Sequence, residues 1–180
     1  MLDAALFYRQ YSRPPQIELK RDFVLATLHR AENTDTPEYL SEIIRALETI
    51  SREQDVLLPL HPRTRAKLEA SGYNTRLSPI RFIDPVGYLE MIHLLDKCSL
   101  VMTDSGGLQK EAFFFRKYCI TLRNETEWTE LVNHGYNTLA GNSYDRIIQA
   151  YREQPHPDFS IPLYGDGHAA KVIVDTLIEA

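Results

Sequence analysis

The residues best placed to do chemistry lie in "VMTDSGGLQKEA", residues 101–112. Ser105 could be an attacking hydroxyl, or the Asp104–Gly107 tract could be a turn whose N–H groups receive an anion. The nucleophile reading is poor. A triad serine needs a His and an Asp from other loops, and a strand-to-helix nucleophile elbow needs Gly-x-Ser-x-Gly. Here Thr103 stands two residues before Ser105. An apolar strand, a glycine pair and a helix start instead make an anion site. The free N–H groups of the first turn point outward and the helix dipole favours negative charge. Gly106 and Gly107 let a ligand approach the backbone with no Cβ in the way. The Ser105 hydroxyl can donate one more bond. Glu111, four residues beyond Gly107, would repel a bare phosphate but can accept from a ribose diol beyond the phosphates, as an acidic residue does in dinucleotide folds. The plainer alternative is a tight turn capped by Asp104.

Other polar residues follow other apolar runs. His29 and Arg30 follow the first, with Glu32 close behind. Such an Arg can fork onto phosphate, and such a His can donate to it or shuttle a proton. Glu32 reads as solvated. His61 and Pro62 follow the second run. Glu127 and Trp128 follow the fifth, where a Trp is more often packing than ligand. "LYGDGHA" (163–169) reads as a glycine turn with Asp166 capping the last helix.

The elements that must position these residues alternate. Strands are expected over 22–29, 55–60, 80–84, 99–103, 118–123 and 137–141. Helices are expected over 36–51, 62–71, 86–98, 108–117, 125–135, 143–154 and 167–180. Thr36, Pro37 and Glu38 start the first of these helices, and Gly72 and Gly135 end two others. The strands are near-continuous apolar runs, as in a mostly parallel, doubly wound α/β sheet covered on both faces. Ligands then bind outside the carboxyl ends of the strands.

Composition narrows the function. The 180 residues support one domain with a sizeable core. The net charge is −5 and the 20 basic residues are scattered, which argues against nucleic acid. No apolar run is long enough for a membrane span. Cys98 and Cys119 suit reduced, buried thiols in a cytoplasmic protein, and no His or Cys lies at metal-ligand spacing.

"TLHRAEN", "PLHPRTR", "IDPVGYLEM", "TDSGGLQKEA", "LRNETEW" and "YGDGHA" occur in an order and spacing similar to the C-terminal domain of non-hydrolysing UDP-N-acetylglucosamine 2-epimerases, over nearly the whole chain. The resemblance implies one Rossmann-like half of a two-domain, glycosyltransferase-B-like enzyme. Residues 1–20 would be the helix and linker leaving a missing N-terminal domain, 21–162 the UDP-binding domain, and 163–180 the C-terminal helix. Met1 would be an internal Met or a truncated start. Ser105, Gly106 and Gly107 would hold the diphosphate, Glu111 the ribose and Met91 the uracil. His29 and Arg30 would face the phosphates and sugar, with His29 supporting the chemistry. His61 would line the cleft, and Arg123 would contact substrate. The implied reaction epimerises UDP-N-acetylglucosamine at C2 by eliminating and re-adding UDP, with no cofactor and no metal. Its proton-moving carboxylates belong to the N-terminal domain, so this half alone is expected to be inactive. Family dimers are expected to form through that absent domain.

The sequence departs from the family where "TEWTE" replaces "TERPE", and at Lys110, where an acid is common. Trp128 resembles a subgroup acting on UDP-2,3-diacetamido-2,3-dideoxyglucuronate, for whose carboxylate Lys110 or Arg123 could supply a cation. A UDP-sugar-binding glycosyltransferase-like module, a hydrolysing relative and a non-enzymatic nucleotide-sugar sensor are the other readings.

Overall fold

The first strand, β1 (Phe23–Thr27), is buried at every position, as a strand covered on both faces must be. Its side chains alternate between two apolar clusters: Val24 and Ala26 enter one, Phe23 and Leu25 the other. The computed structural model describes residues 1–179. In it β1, β2 (Asp55–Pro59), β3 (Arg81–Ile83), β4 (Leu100–Thr103), β5 (Tyr118–Thr121) and β6 (Asn137–Leu139) form one sheet in the order β3-β2-β1-β4-β5-β6. Every pairing is parallel, as the expected doubly wound architecture requires.

The helices are α1 (Leu2–Arg9), α2 (Ala31–Thr34), α3 (Pro37–Ser51), α4 (Pro62–Ala70), α5 (Tyr88–Lys97), α6 (Gly106–Phe114), α7 (Thr129–Asn133), α8 (Tyr144–Arg152) and α9 (Ala169–Glu179). Leu40, Ile43, Ile44, Leu47 and Ile50 of α3 repeat at helical spacing and pack with Ile147 of α8 on one face of the sheet. Leu94 and Leu95 of α5 and Leu108 and Ala112 of α6 cover the other.

Glycine ends α4 and α7 as expected. Gly72 takes φ +77° and Gly135 φ +73°, and the next residues close the turn with Tyr73 N to Leu68 O and Tyr136 N to Leu131 O, both 2.9 Å. Other local expectations need correction. Thr36 stands at the start of α3 but makes no side-chain cap bond; Pro37 and the buried stripe hold that helix. The "AEN" tract, outside every expected element, is a short helix, α2, closed by Thr34 N to Arg30 O at 3.0 Å and Asp35 N to Ala31 O at 2.8 Å, with Asn33 and Thr34 buried. The expected helix over 125–135 shrinks to α7. Thr126 Oγ1 donates to Gln109 Oε1 at 2.6 Å and accepts from Trp128 N at 3.1 Å, which ties the start of that tract into a turn. Asp166 closes its own turn by accepting from His168 N at 3.1 Å. Asp3 of α1 serves the start of α9 instead, accepting from Ala170 N at 2.8 Å. Ala180, the end of the expected last helix, lies outside the described residues.

Cys98 and Cys119 are free and buried, and burial pushes both thiols up to about 12. No helix among the described residues is long and apolar enough to cross a membrane. Helix α1 rests on α5, with Tyr8 edge-on to Tyr88 at 5.7 Å and Arg9 paired with Asp96 at 2.7 Å. Helix α9 buries none of its residues, and its Leu177 and Ile178 are 72% and 78% exposed. Removing 169–179 is therefore expected to leave the urea midpoint of the sheet nearly unchanged. Ile43→Ala, in the closed core, should cost about 2–5 kcal/mol. A midpoint loss from the truncation as large as that from Ile43→Ala would show α9 to be part of the core.

Candidate functional site

The chain changes sides where β1 meets β4. Helix α3, following β1, covers one face of the sheet, and α6, following β4, covers the other. Such a switch point opens a crevice at the carboxyl ends of the two strands. Thr27 and Thr103 are paired in register there, their hydroxyls 2.6 Å apart. The next residue, Asp104, is fully buried. Its carboxylate accepts from His29 N at 3.0 Å, Arg30 N at 2.8 Å and Asn33 Nδ2 at 3.3 Å. Asn33 Nδ2 also donates to Leu122 O at 2.8 Å, beyond the end of β5. Asp104 is therefore not a helix cap. Two backbone amides leaving β1 need a buried acceptor, and Asp104 supplies it. Ser105 caps α6 in its place, its Oγ accepting from Leu108 N at 3.4 Å. The His29 Nδ1 lies 3.3 Å from Asp104 Oδ1.

Six residues anticipated from the sequence line one cavity of about 310 Å³: His29, His61, Met91, Ser105, Gly107 and Glu111. His61 follows β2 and caps α4, its Nδ1 accepting from Arg63 N at 3.2 Å. In the neutral ring that leaves the proton on Nε2. The His29 and His61 rings stand 6.0 Å apart. A larger groove of about 690 Å³ runs along α3 and α4, but none of the anticipated site residues lines it.

The two glycines serve different ends. At Gly107 a Cβ would meet only Met1 Cε at 3.9 Å and Ser105 Oγ at 4.0 Å, so the first turn of α6 is open to a ligand there. Gly106 is buried, and a Cβ on it would collide with the Glu127 carboxylate. The expectation that both glycines clear space for a ligand is corrected accordingly: the space at Gly106 is already filled by a side chain.

Glu127 Oε2 accepts from Arg123 Nη1 at 2.8 Å, and Arg30 Nη2 lies 3.9 Å from its other oxygen. Arg30 thus reaches the start of α6 beside the cavity. Arg123 is 7% exposed, does not line the cavity wall, and has a buried Nε without a partner. Lys110 does not line the wall either. Its Nζ sits 4.1 Å from the ring centroids of both Trp128 and Tyr164. Trp128 packs against α6 and donates from Nε1 to Gly106 O at 2.8 Å. The two cations anticipated for an acidic sugar are therefore committed elsewhere.

This arrangement can hold an anion at the open first turn of α6 and hydroxyl groups at Glu111. Among the described residues no group of three or more His, Cys, Asp or Glu is placed to hold a metal ion. The sequence reading missed the bracing roles of Asp104 and Asn33, the carboxylate over Gly106, and Tyr88. The Tyr88 hydroxyl donates to Glu111 Oε1 at 3.2 Å. The one available signal was the position of Asp104 directly after a strand at the ligand edge of the sheet.

Burial raises the Glu111 carboxyl above its usual value, partly offset by the Tyr88 bond. A carboxyl raised on folding binds its proton more tightly in the folded chain. Ionising it then costs stability as pH climbs from the unfolded value, about 4.3, through the folded one. Glu111→Gln should therefore raise the urea midpoint at about pH 7 and change it little at about pH 3.5. Equal shifts at both pH values would contradict this electrostatic origin.

The sequence model of the family described as "UDP-N-acetylglucosamine 2-epimerase" matches residues 1–178. A Pseudomonas aeruginosa UDP-2,3-diacetamido-2,3-dideoxy-D-glucuronate 2-epimerase is 48% identical over 98% of this chain and 50% of its own length. A Methanococcus maripaludis UDP-N-acetylglucosamine 2-epimerase homolog is 41% identical over 88% of this chain and 45% of its own length. The solved UDP-GlcNAc 2-epimerase of Methanocaldococcus jannaschii, a structure of which holds UDP-GlcNAc and UDP, superposes with a TM-score of 0.86 at 32% identity. That superposition covers 99% of this chain and 53% of the other. The chain spans about half the length of the curated relatives it matches. With the parallel sheet, the switch-point crevice and a match along almost its whole length, the chain belongs to the UDP-N-acetylglucosamine 2-epimerase family.

Proposed function

We propose that this chain is the nucleotide-binding half of a UDP-acetamido-sugar 2-epimerase. The observation that carries the reading is the convergence of the open α6 turn, His29 and Glu111 on one cavity at the β1/β4 switch point. The diphosphate lies against the Gly107 end of α6, with the Ser105 hydroxyl and the Arg30 guanidinium beside it. Glu111 takes the ribose hydroxyls and Met91 faces the uracil. Arg123 acts at one remove, through Glu127.

In the reaction, UDP departs as a proton is taken from C2 of the sugar, leaving a glycal. UDP adds back after C2 is reprotonated on the other face. The residues in this chain meet the first demand of that chemistry, stabilising the charge of the departing diphosphate with N–H groups and a guanidinium. His29 and His61 stand where they can donate to the leaving group or the sugar. The second demand, carboxylates that move the C2 proton, falls to a second half of the kind that relatives of twice this length contain. The apolar faces of α1 and α9 are the seat for that half.

A second reading concerns the sugar. The 48% identity to a diacetamido-glucuronate epimerase and the Trp128 of "TEWTE" favour an acidic UDP-2,3-diacetamido sugar over UDP-N-acetylglucosamine. With Lys110 and Arg123 committed elsewhere, its carboxylate would meet His29, His61 or the second half.

The purified chain should bind UDP in a calorimeter and epimerise neither sugar. Adding a separately purified N-terminal half from a full-length relative should restore turnover, faster with the uronate. Turnover by the pure chain would refute the half-enzyme reading, and failure to bind UDP would refute the nucleotide site.

A further inference from the structure

Glu111 is buried on one side, ionisable, and unpaired with any Lys or Arg among the described residues. Its one hydrogen-bond partner there is the Tyr88 hydroxyl, at 3.2 Å from Oε1. A Lys or Arg partner would neutralise the carboxylate and occupy its lone pairs. A neutral phenol uses one lone pair of roughly four, leaving Oε2 and the charge for a ligand. Burial first, and the Glu111 charge second, push the Tyr88 phenol up to about 12, so it remains a donor at any physiological pH.

The placement of Tyr88 is determined by the fold. It opens α5, and Met91 follows three residues later on the same helix face, lining the cavity with Glu111. The ring is held from behind by Tyr8 of α1 at 5.7 Å, edge to face. A carboxylate on a flexible Glu side chain loses rotamer freedom when it binds a ligand. One held in advance by a fixed donor loses less, and the saving appears only for ligands whose hydroxyls the carboxylate contacts.

We propose that Tyr88 is a positioning residue that holds Glu111 ready for a ribose diol and so sets the preference for ribonucleotides over 2′-deoxyribonucleotides. This rests on the reading of Glu111 as the ribose acceptor.

The test titrates UDP and 2′-deoxy-UDP into the chain and into its Tyr88→Phe and Glu111→Ala variants. Tyr88 is 44% exposed, and Tyr88→Phe removes one oxygen without opening the core. The unaltered chain should prefer UDP by about tenfold, the scale of a hydrogen bond to a charged group. Tyr88→Phe should weaken UDP by about three- to tenfold and leave 2′-deoxy-UDP within about twofold, so that the preference shrinks. Glu111→Ala should erase it. Equal loss for both ligands, or loss for neither, in Tyr88→Phe while Glu111→Ala still erases the preference overturns the Tyr88 assignment alone. A preference that survives Glu111→Ala, or is missing from the unaltered chain, overturns the ribose reading and the assignment with it.

Discussion

The Asp104 carboxylate, fully buried at the end of β4, fixes the segment that carries His29 to the cavity. Its donors all come from the segment that leaves β1: the amides of His29 and Arg30 and the side chain of Asn33. Through Asn33 the same cluster reaches the carbonyl of Leu122 beyond β5. Charged acceptors on backbone donors make shorter, stronger bonds than neutral ones, and a buried donor left without an acceptor costs about 1–3 kcal/mol. Asp104 and Asn33 together therefore join the ends of three neighbouring strands. Asp104 also sets where the His29 ring and the Arg30 side chain begin. The open first turn of α6 starts at the very next residue, so the brace and that turn cannot be varied independently.

Around this brace the charges are divided by environment. On one side of the α6 start, Glu127 lies between Arg123 and Arg30, and its carboxyl is held below the usual range, by a bond to its own backbone first and by Arg123 after that. On the other side, Glu111 has only a phenol, and burial pushes its carboxyl the opposite way. Two carboxylates near one helix start thus carry opposite perturbations. The paired one is structural: it fills the space that a Cβ on Gly106 would need. The underpaired one faces the cavity. A carboxyl shifted by burial in a concave site is a candidate binding group. Lys110 shows the converse. Its ammonium sits 4.1 Å from the Trp128 and Tyr164 ring centroids, away from the cavity wall.

The exposed apolar residues of α1 and α9 sit at the two chain ends, which Asp3 brings together at Ala170. In a chain half the length of its relatives, that pairing puts the uncovered apolar surface in one region of the molecule.

Much of this was legible without coordinates. The strand and helix succession followed from local periodicity, because burial on one helix face or two strand faces leaves its pattern within a dozen residues. Gly72 and Gly135 announced helix ends because their left-handed backbone is local too. His29, His61, Ser105, Gly107 and Glu111 were legible as residues following strands or in the opening turns of a helix, positions that a parallel sheet brings to a single edge, whereas Met91 was named only by the family resemblance. What only the tertiary structure decided depends on which distant segments become neighbours. Asp104 looked like a cap until β4 was seen beside β1, 75 positions away from His29 in sequence. Gly106 looked like clearance for a ligand until Glu127 was found in that space. Lys110 looked free until two rings closed over it. Sequence spacing records the interactions a residue makes with its own helix or strand. The partners of a buried charge come from other elements, and no local pattern encodes them.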